Sequence, residues 1–329
     1  MNLNVVVVGT GAFAHTHAKA IARQPRLRLA GFVGSRPGSA DEIAGEYRTK
    51  SYPDLAAALL DEGIHGVIVA TPHASHVQIG VAGIAAGKSV LVEKPLATTV
   101  VGCDQLVAAA IAGPGRGMVG HLMRWSPAHQ QARALIASGT IGIPVSAEGR
   151  RYIDWQSAER RLWQKSADAG GGMWQIQGVH IVDQLSWLLD ARAQSAVGLT
   201  QTRFHKEQDA DDFGSALLNF GEISGRINIA GTRGRMQPQV YAEVLGTEGM
   251  LRVSHRGLLD VDVGAGWSNA LEPTDVDHWT AMLDAELGAF AVLIETGRVD
   301  TPFEYGRYVA SVVEAISRSQ QSGAWETVR

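Results

Sequence analysis

The stretch NVVVVGTGAFAHTHA, residues 4–18, decides the fold. Its β-branched run predicts a strand buried on both faces, as in a parallel sheet. The following segment has helical spacing, so the GxGxxA turn lies between a strand and a helix. Two glycines there let the backbone approach a pyrophosphate, which the free N–H groups of the helix then face. We predict a dinucleotide site at Gly9, Thr10, Gly11, Ala12 and Phe13, the alternative being an ordinary tight turn.

Short strands and helices alternate from this turn to about residue 122, which predicts a doubly wound Rossmann domain over residues 1–122. Beyond it, strands follow one another more directly and are joined by glycine-rich turns, and LGTEGML (245–251) predicts a tight hairpin. We therefore predict an α+β domain with a largely antiparallel sheet over residues 123–329. Two long helices, near 276–296 and 304–319, are expected to close it, and one helix over 121–139 to span the boundary.

The bulk composition excludes several classes of protein. The 329 residues are enough for two domains, and 29 Lys and Arg against 33 Asp and Glu give a formal net charge of −4. This balance offers no basic surface for nucleic acid or an anionic membrane. One cysteine rules out a disulfide framework, and neither a signal peptide nor a membrane-spanning run is visible. We expect a cytoplasmic protein with a small-molecule substrate and no metal.

The tip of the second predicted strand bears on the cofactor. An NAD site usually has an acidic residue there, which binds the ribose hydroxyls. Here the strand runs LAGFVGSRPG (29–38), and Ser35 and Arg36 follow it without an acid. A planar cation and a hydroxyl suit a 2′-phosphate, so we predict NADP as the cofactor. Alternatively, Arg36 is a solvated residue that stacks on the adenine, which would permit NAD.

Two stretches hold candidate catalytic residues. Glu93 and Lys94 end a buried strand in VLVEKPLATT (90–99), at the edge where open α/β sheets bind ligands. Lys94 could hydrogen-bond a substrate hydroxyl while Glu93 orients it, and the alternative is a surface ion pair. In GGGMWQIQGVHIVD (170–183), glycines at a helix start suggest that another backbone or a ligand passes close by. His180 in this helix is either a proton acceptor or a core histidine.

Five motifs together resemble one family: GTGAFAHTHA (9–18), ATPHASH (70–76), GKSVLVEKPLA (87–97), VGHLMRWSP (119–127) and GGGMWQIQGVHIVDQLSWLL (170–189). Their order and spacing are similar to the glucose-fructose oxidoreductase / inositol dehydrogenase / rhizopine-catabolism (Gfo/Idh/MocA) family. The resemblance implies a Rossmann domain, a second domain whose open sheet mediates homodimers or homotetramers, and NAD(P)-dependent oxidation or reduction of a sugar, cyclitol or related hydroxyl.

The resemblance also implies roles for individual residues. Lys94 matches the lysine that touches nicotinamide and substrate, and His180 matches the acid/base histidine. Positions beside the cofactor are matched by Ala70, Thr71, Pro72 and His76, with Glu93 before the lysine and His121 after the last Rossmann strand. Arg124 belongs to the same variant segment and is a candidate substrate contact.

One position departs from the family pattern. Many members have an aspartate four residues before the histidine, where this chain has Ile176. Helical spacing places residues 176, 180 and 183 on one face. Gln177 is then a candidate contact for the substrate or the histidine. Asp183 could orient the imidazole and is a candidate substrate contact, or it has a partner elsewhere.

The segment RRYIDWQSAERRLWQKS (150–166) precedes the glycines and is rich in arginine and aromatic residues. Aromatic rings suit sugar faces or aromatic substrates and arginines suit carboxylates, so we expect some of these residues, including Trp163, on the substrate side. Three functions stay open: a dehydrogenase of a sugar-like alcohol, a dehydrogenase of a carboxylated aromatic dihydrodiol, and a catalytically silent NAD(P)-binding regulator.

Overall fold

In a computed structural model of the protein, residues 2–156, 158, 160–234, 236–271 and 277–329 are described. They form two compact units. The first comprises residues 1–122 together with 283–307, and the second comprises residues 123–282 together with 308–329. None of the helices within the described ranges has both the length and the apolar character that crossing a bilayer requires.

The first unit is built on a parallel sheet with helices between its strands. The strands are β1 (Leu3–Val8), β2 (Leu27–Val33), β3 (Lys50–Tyr52), β4 (Gly66–Val69), β5 (Ser89–Glu93) and β6 (Arg116–Gly120), in the order β3-β2-β1-β4-β5-β6. The intervening helices are α1 (Ala12–Arg23), α2 (Asp41–Glu46), α3 (Leu55–Leu60), α4 (His76–Ala85) and α5 (Val100–Ala112). The chain turns in opposite directions from the β1–β4 pair, which is therefore the switch point where such sheets bind ligands. The predicted Rossmann fold is confirmed.

The second unit contains a mixed sheet of nine described strands. They are β7 (Pro144–Asp154), β8 (Ser195–Gln201), β9 (Phe213–Asn219), β10 (Ser224–Thr232), β11 (Gln239–Gly246), β12 (Met250–Ser254), β13 (Leu259–Asp262), β14 (Ser268–Asn269) and β15 (Glu326–Thr327). Their order is β14-β13-β12-β11-β7-β10-β9-β8-β15, and β7 with β10 is the parallel pair among them. The largely antiparallel sheet is confirmed, as is the hairpin between β11 and β12, in which the Gly246 N–H donates to the Gly249 carbonyl over 2.8 Å.

Helix α6 (Pro127–Ala137) shows that the prediction of one helix over residues 121–139 is wrong. Residues Leu122–Trp125 form a separate 3₁₀ turn. The Ser126 hydroxyl accepts a hydrogen bond from the His129 N–H over 3.2 Å, and Pro127 occupies the first helical position. Proline suits that position because its missing N–H would have had no helical partner there, so the helix begins anew at residue 127.

Residues 283–307 return to the first unit, although the predicted domains, 1–122 and 123–329, did not include such a return. They comprise most of α8 (His278–Thr296) and the start of α9 (Phe303–Ser322), which follow α7 (Val179–Leu188) in chain order. Residue 276, where a helix was predicted to begin, lies outside the described residues. Aromatic rings fix this return: Phe290 lies against Gly66, and Phe303 lies against Gly117 of β6.

Gly117→Ala tests this packing. A Cβ at residue 117 would lie 2.2 Å from the Phe303 ring, so we expect overpacking to lower the free energy of unfolding by about 1–3 kcal/mol. Gly45→Ala in α2 is the control, because a Cβ there meets nothing within 4 Å and alanine favours the helix. Denaturant unfolding measures both. Equal stability of the two variants would contradict the placement of Phe303.

Candidate active site

The candidate residues of the first unit share one edge of its sheet. The glycine turn follows β1, and Ser35 and Arg36 follow β2. Ala70, Thr71 and Pro72 follow β4, Glu93 and Lys94 lie at the end of β5, and His121 follows β6. Because the strands are parallel, all of these segments lie at their carboxyl ends.

The glycine turn has the shape that a dinucleotide needs. Gly9 adopts a φ of +129°, and a Cβ there would lie 2.3 Å from the carbonyl oxygen of Ala70. Gly11 precedes α1, and no side chain caps this helix. No capping side chain therefore engages the N-terminal N–H groups of α1. Gly9 and Gly11 carry no side chain that would cover the backbone in front of them. This turn fits the pyrophosphate of a nicotinamide dinucleotide.

The loop after β2 is held by hydrogen bonds between the Ser39 hydroxyl and the main chain of Arg36. The Ser39 hydroxyl accepts from the Arg36 N–H over 3.2 Å and donates to the Arg36 carbonyl over 2.7 Å. Gly34 permits this turn, since a Cβ there would lie 1.9 Å from the Ser39 oxygen. Ser35 and Arg36 are exposed. The loop therefore fixes the backbone of Arg36 and leaves its side chain in solvent.

A buried histidine, which the sequence analysis did not identify, lies behind the lysine. His17 of α1 is fully buried, and its Nε2 lies 2.8 Å from Oε1 of Glu93. Glu93 is itself 8 % exposed, so this contact fixes the carboxylate immediately before the partly buried Lys94. His17 lies on the face of α1 that also buries Ala14, Ala18 and Ile21. A histidine at such a core-facing position is a sequence signal for a buried polar partner.

His76 joins two of the segments at this edge. Its Nδ1 lies 2.9 Å from the Pro95 carbonyl oxygen, and its Nε2 lies 3.1 Å from that of Thr71. Burial lowers the pKa of His76, although both carbonyls act in the opposite direction. The ring packs between these two segments, and its neutral form donates to one of the two carbonyls. His121 is also buried, with its ring edge-on to Tyr305 at 5.7 Å between centroids.

In the second unit, a neighbouring backbone passes close to Gly171 of the glycine triplet. A Cβ at Gly171 would lie 2.5 Å from the carbonyl oxygen of Gln164 and 2.6 Å from that of Trp163. Gly172 has a φ of +97°. The main chain of the Leu162–Lys165 turn therefore passes directly over the start of the helix, as one of the two sequence alternatives stated. Trp163, a candidate substrate contact, is partly buried in this turn.

A π-helical turn precedes His180. Residues Trp174–Gly178 form it, and the Val179 N–H reaches back to the carbonyl of Trp174. Such i→i−5 turns interrupt the α-helical spacing from which a common face was predicted. Ile176 and Asp183 are buried, whereas His180 is partly exposed. Gly178 is required here, because a Cβ would lie 2.5 Å from the Trp174 ring.

Two predicted substrate contacts of the second unit pair with each other. The Arg124 guanidinium donates to Oδ1 of Asp183, and both side chains are buried. The charges compensate each other inside the unit, and removal of one partner would leave an uncompensated buried charge. This geometry favours a structural role for the pair.

Arg150 and Arg151 lie on opposite faces of strand β7. A Cβ at Gly149 would lie 2.1 Å from Ile181 of α7, so odd-numbered residues of the strand face that helix. Arg151 shares this face, and its Nε donates to Oε1 of Gln177. Arg150 points to the other face, where it donates to Glu148 over 3.0 Å. Arg151 is the member of the pair that lies beside the His180 segment.

Asp211 secures the start of the π-helical turn. Its carboxylate accepts from the Trp174 N–H over 3.0 Å, and its carbonyl accepts from the Met173 N–H over 2.9 Å. Burial raises the pKa of Asp211 from 3.8 to about 7, against the effect of these N–H groups.

Within the described ranges, no three His, Cys, Asp or Glu side chains gather in a way that could hold a metal ion.

Together, a glycine turn at the switch point of a parallel sheet and a second mixed-sheet unit define a two-unit dinucleotide-binding protein. Residues 3–121 match the model of an oxidoreductase family with an NAD-binding Rossmann fold, and residues 129–252 match that of the GFO/IDH/MocA C-terminal domain. The chain therefore belongs to the Gfo/Idh/MocA family of oxidoreductases.

Curated relatives and solved structures span all or nearly all of the chain. It is 26 % identical to an inositol 2-dehydrogenase of Pseudomonas fluorescens, over 98 % of this chain and 96 % of that one. It is 28 % identical to the human glucose-fructose oxidoreductase domain-containing protein 2, over 97 % and 93 % of the two chains. A levoglucosan dehydrogenase solved with NADH has a TM-score of 0.92 at 24 % identity and full coverage of both chains, which shows a common fold.

Asp211→Asn is expected to change how stability depends on pH. The folded pKa is raised, so the folded state holds its proton more tightly; stability is fully present below pH 3.8 and is lost as pH rises to about 7. Asparagine keeps an acceptor for Trp174 but does not titrate. Thermal unfolding across this range should show the wild type losing stability relative to the variant. Asp209→Asn, at a neighbouring exposed position, is the control; a constant offset between wild type and Asp211→Asn would refute the raised pKa.

Proposed function

We propose that this oxidoreductase is an NADP-dependent dehydrogenase or reductase acting on a secondary hydroxyl or carbonyl of a sugar, cyclitol or similar polyhydroxy compound. The observation that carries the proposal is the partly buried Lys94 at the carboxyl end of β5. It follows Glu93, whose Oε1 lies 2.8 Å from Nε2 of the buried His17. A lysine at the same carboxyl edge of the sheet as the glycine turn provides a hydrogen-bond donor on the side where open α/β sheets bind their ligands. Family membership supports this proposal, and the inositol dehydrogenase relatives favour a polyhydroxy substrate.

When bound, the nicotinamide supplies the hydride acceptor for oxidation. The C–H bond at the carbinol carbon breaks with its electron pair, the O–H proton leaves, and the products are a ketone and the reduced cofactor. We propose that His180 takes the proton and that Lys94 hydrogen-bonds the same oxygen. An imidazole suits this transfer because its ordinary pKa lies near neutral pH.

The proposed preference for NADP rests on the loop after β2. The segment from Gly34 to Ser39 contains no acidic residue that could bind ribose hydroxyls. The Ser39 hydroxyl holds the main chain of Arg36, whose side chain is exposed. A guanidinium in that position can make bidentate hydrogen bonds to a 2′-phosphate. NAD is the alternative cofactor.

We also propose a homodimer or homotetramer in the cytoplasm, formed through the open face of the nine-stranded sheet. Leu217 of β9 and Leu245 of β11 are each 46 % exposed on their strands, which is consistent with a covered face.

Arg36→Ala tests the choice of cofactor. Loss of charged hydrogen bonds to the 2′-phosphate should weaken NADP binding by about 10- to 100-fold while NAD binding changes little. Calorimetric titration of both dinucleotides measures this. Arg28→Ala, an exposed arginine of β2, serves as the control and should affect neither. Equal losses for NADP and NAD would argue against the 2′-phosphate role of Arg36.

His180→Ala tests the acid/base assignment. On the true substrate, found by screening sugars, cyclitols, their acids and aromatic dihydrodiols, kcat should fall by about 10²–10⁴-fold. Dinucleotide affinity should stay at the wild-type level. His65→Gln, at an exposed histidine outside these segments, provides the control. Full turnover by His180→Ala would remove the histidine from the mechanism, and binding of NADP without turnover of any compound would support a catalytically silent regulator instead.

A further inference from the structure

Arg151 occupies an unusual position in the second unit. It lies on the face of β7 that packs against α7, and it is only partly exposed. Its neighbours in the sheet, Ile229 of β10 and Val240 of β11, are apolar. Its Nε donates to Gln177, three residues before His180. The guanidinium therefore reaches the same short segment that carries the proposed acid/base.

No carboxylate among the described residues compensates this charge. The other arginines close to it in sequence are engaged differently: Arg150 pairs with Glu148, and Arg160 donates to Gln208 and lies over the Trp155 ring. Burial alone lowers the pKa of Arg151, to about 10, so the side chain stays cationic at neutral pH. Its Nη1 is buried without a hydrogen-bond partner in the described part of the chain. A partly buried cation of this kind is costly unless an anion joins it.

The contact with Arg151 also fixes the orientation of the Gln177 amide. A guanidinium only donates, so the atom of Gln177 that faces it is the oxygen. The Nε2 group, a donor, then points away from Arg151 on a residue that is partly exposed. A cationic donor and an amide donor thus belong to two adjacent side chains.

We propose that Arg151 and Gln177 bind a carboxylate of the substrate, so that the compound oxidised beside His180 is a polyhydroxy acid rather than a neutral polyol. This inference rests on the proposed function and names its substrate class. A carboxylate accepts two hydrogen bonds in a fork, which suits one guanidinium and one amide. A phosphate would bring almost two negative charges, and Arg151 supplies one positive charge.

Matched substrate pairs test this directly. Wild-type enzyme is assayed with NADP and NAD on sugars and cyclitols and on the corresponding aldonic, uronic and cyclitol carboxylic acids. We expect the acid of the preferred pair to have a kcat/KM about 10- to 100-fold above its neutral partner, as one charged hydrogen-bond pair provides. A wild type that prefers the neutral members would overturn the proposal even if no variant folds.

Arg151→Gln should lower kcat/KM for the acid about 10- to 100-fold more than for the neutral compound and leave dinucleotide affinity little changed. Arg151→Lys keeps the charge without the fork, so it should recover part of the loss. Arg150→Gln is the matched control, because that side chain is on the opposite face of the same strand and paired with Glu148. Equal losses on acid and neutral substrates in Arg151→Gln would contradict the assignment.

Failure of this inference is distinguishable from failure of the proposed function. Turnover of neutral compounds alone would contradict the carboxylate site and still support the dehydrogenase function. Absence of turnover on every substrate pair, with NADP still bound, would contradict the dehydrogenase function. In that case, thermal shifts with the same acids decide the carboxylate site: stabilisation that Arg151→Gln abolishes supports it, and stabilisation by none of the acids refutes it.

Discussion

The close approach between Gly9 and the carbonyl of Ala70 is the constraint on which the first unit depends. A Cβ at residue 9 would lie 2.3 Å from that oxygen, so only glycine lets β1 turn into α1 beside the end of β4. This turn sets the direction of α1, which carries His17 back across the sheet to Glu93. The glycine turn that could admit a pyrophosphate thus also determines how Glu93, the residue before Lys94, is held.

The second unit uses glycine in a comparable way. The carbonyls of the Leu162–Lys165 turn pass so close to Gly171 that a side chain there would collide with them, and Gly178 accommodates the ring of Trp174. These contacts fix a segment in which Gln177 and His180 stay partly exposed while Ile176 is buried. Two arginines of this unit differ in how their charge is compensated. Arg124 pairs with the carboxylate of Asp183, whereas Arg151 donates to the neutral amide of Gln177. The difference in charge compensation separates a structural pair from a candidate ligand site.

Much of this organisation was predictable from periodicity and turn chemistry. The β-branched run at residues 4–8 gave a buried parallel strand, and GTEG gave the hairpin between β11 and β12. The return of residues 283–307 to the first unit could not be predicted from the sequence. An amphipathic pattern shows which face of a helix is apolar, but it does not show which unit covers that face. The π-helical turn at Trp174–Gly178 could not be predicted either. The sequence analysis used α-helical spacing there, and no local sequence signal distinguishes a π-helical from an α-helical turn. Adjacent arginines at 150 and 151 alternate between faces, and only the tertiary packing of Gly149 shows which one faces α7.

The central proposal is that Lys94 and His180 act on one substrate hydroxyl. A crystal structure of the complex with NADP and the preferred substrate, or its unreactive analogue, tests this most directly. The account predicts that the oxygen on the carbon facing the nicotinamide lies within about 2.6–3.2 Å of both the Lys94 ammonium and the His180 imidazole. A complex in which that oxygen contacts neither residue, with other groups in their place, would contradict it.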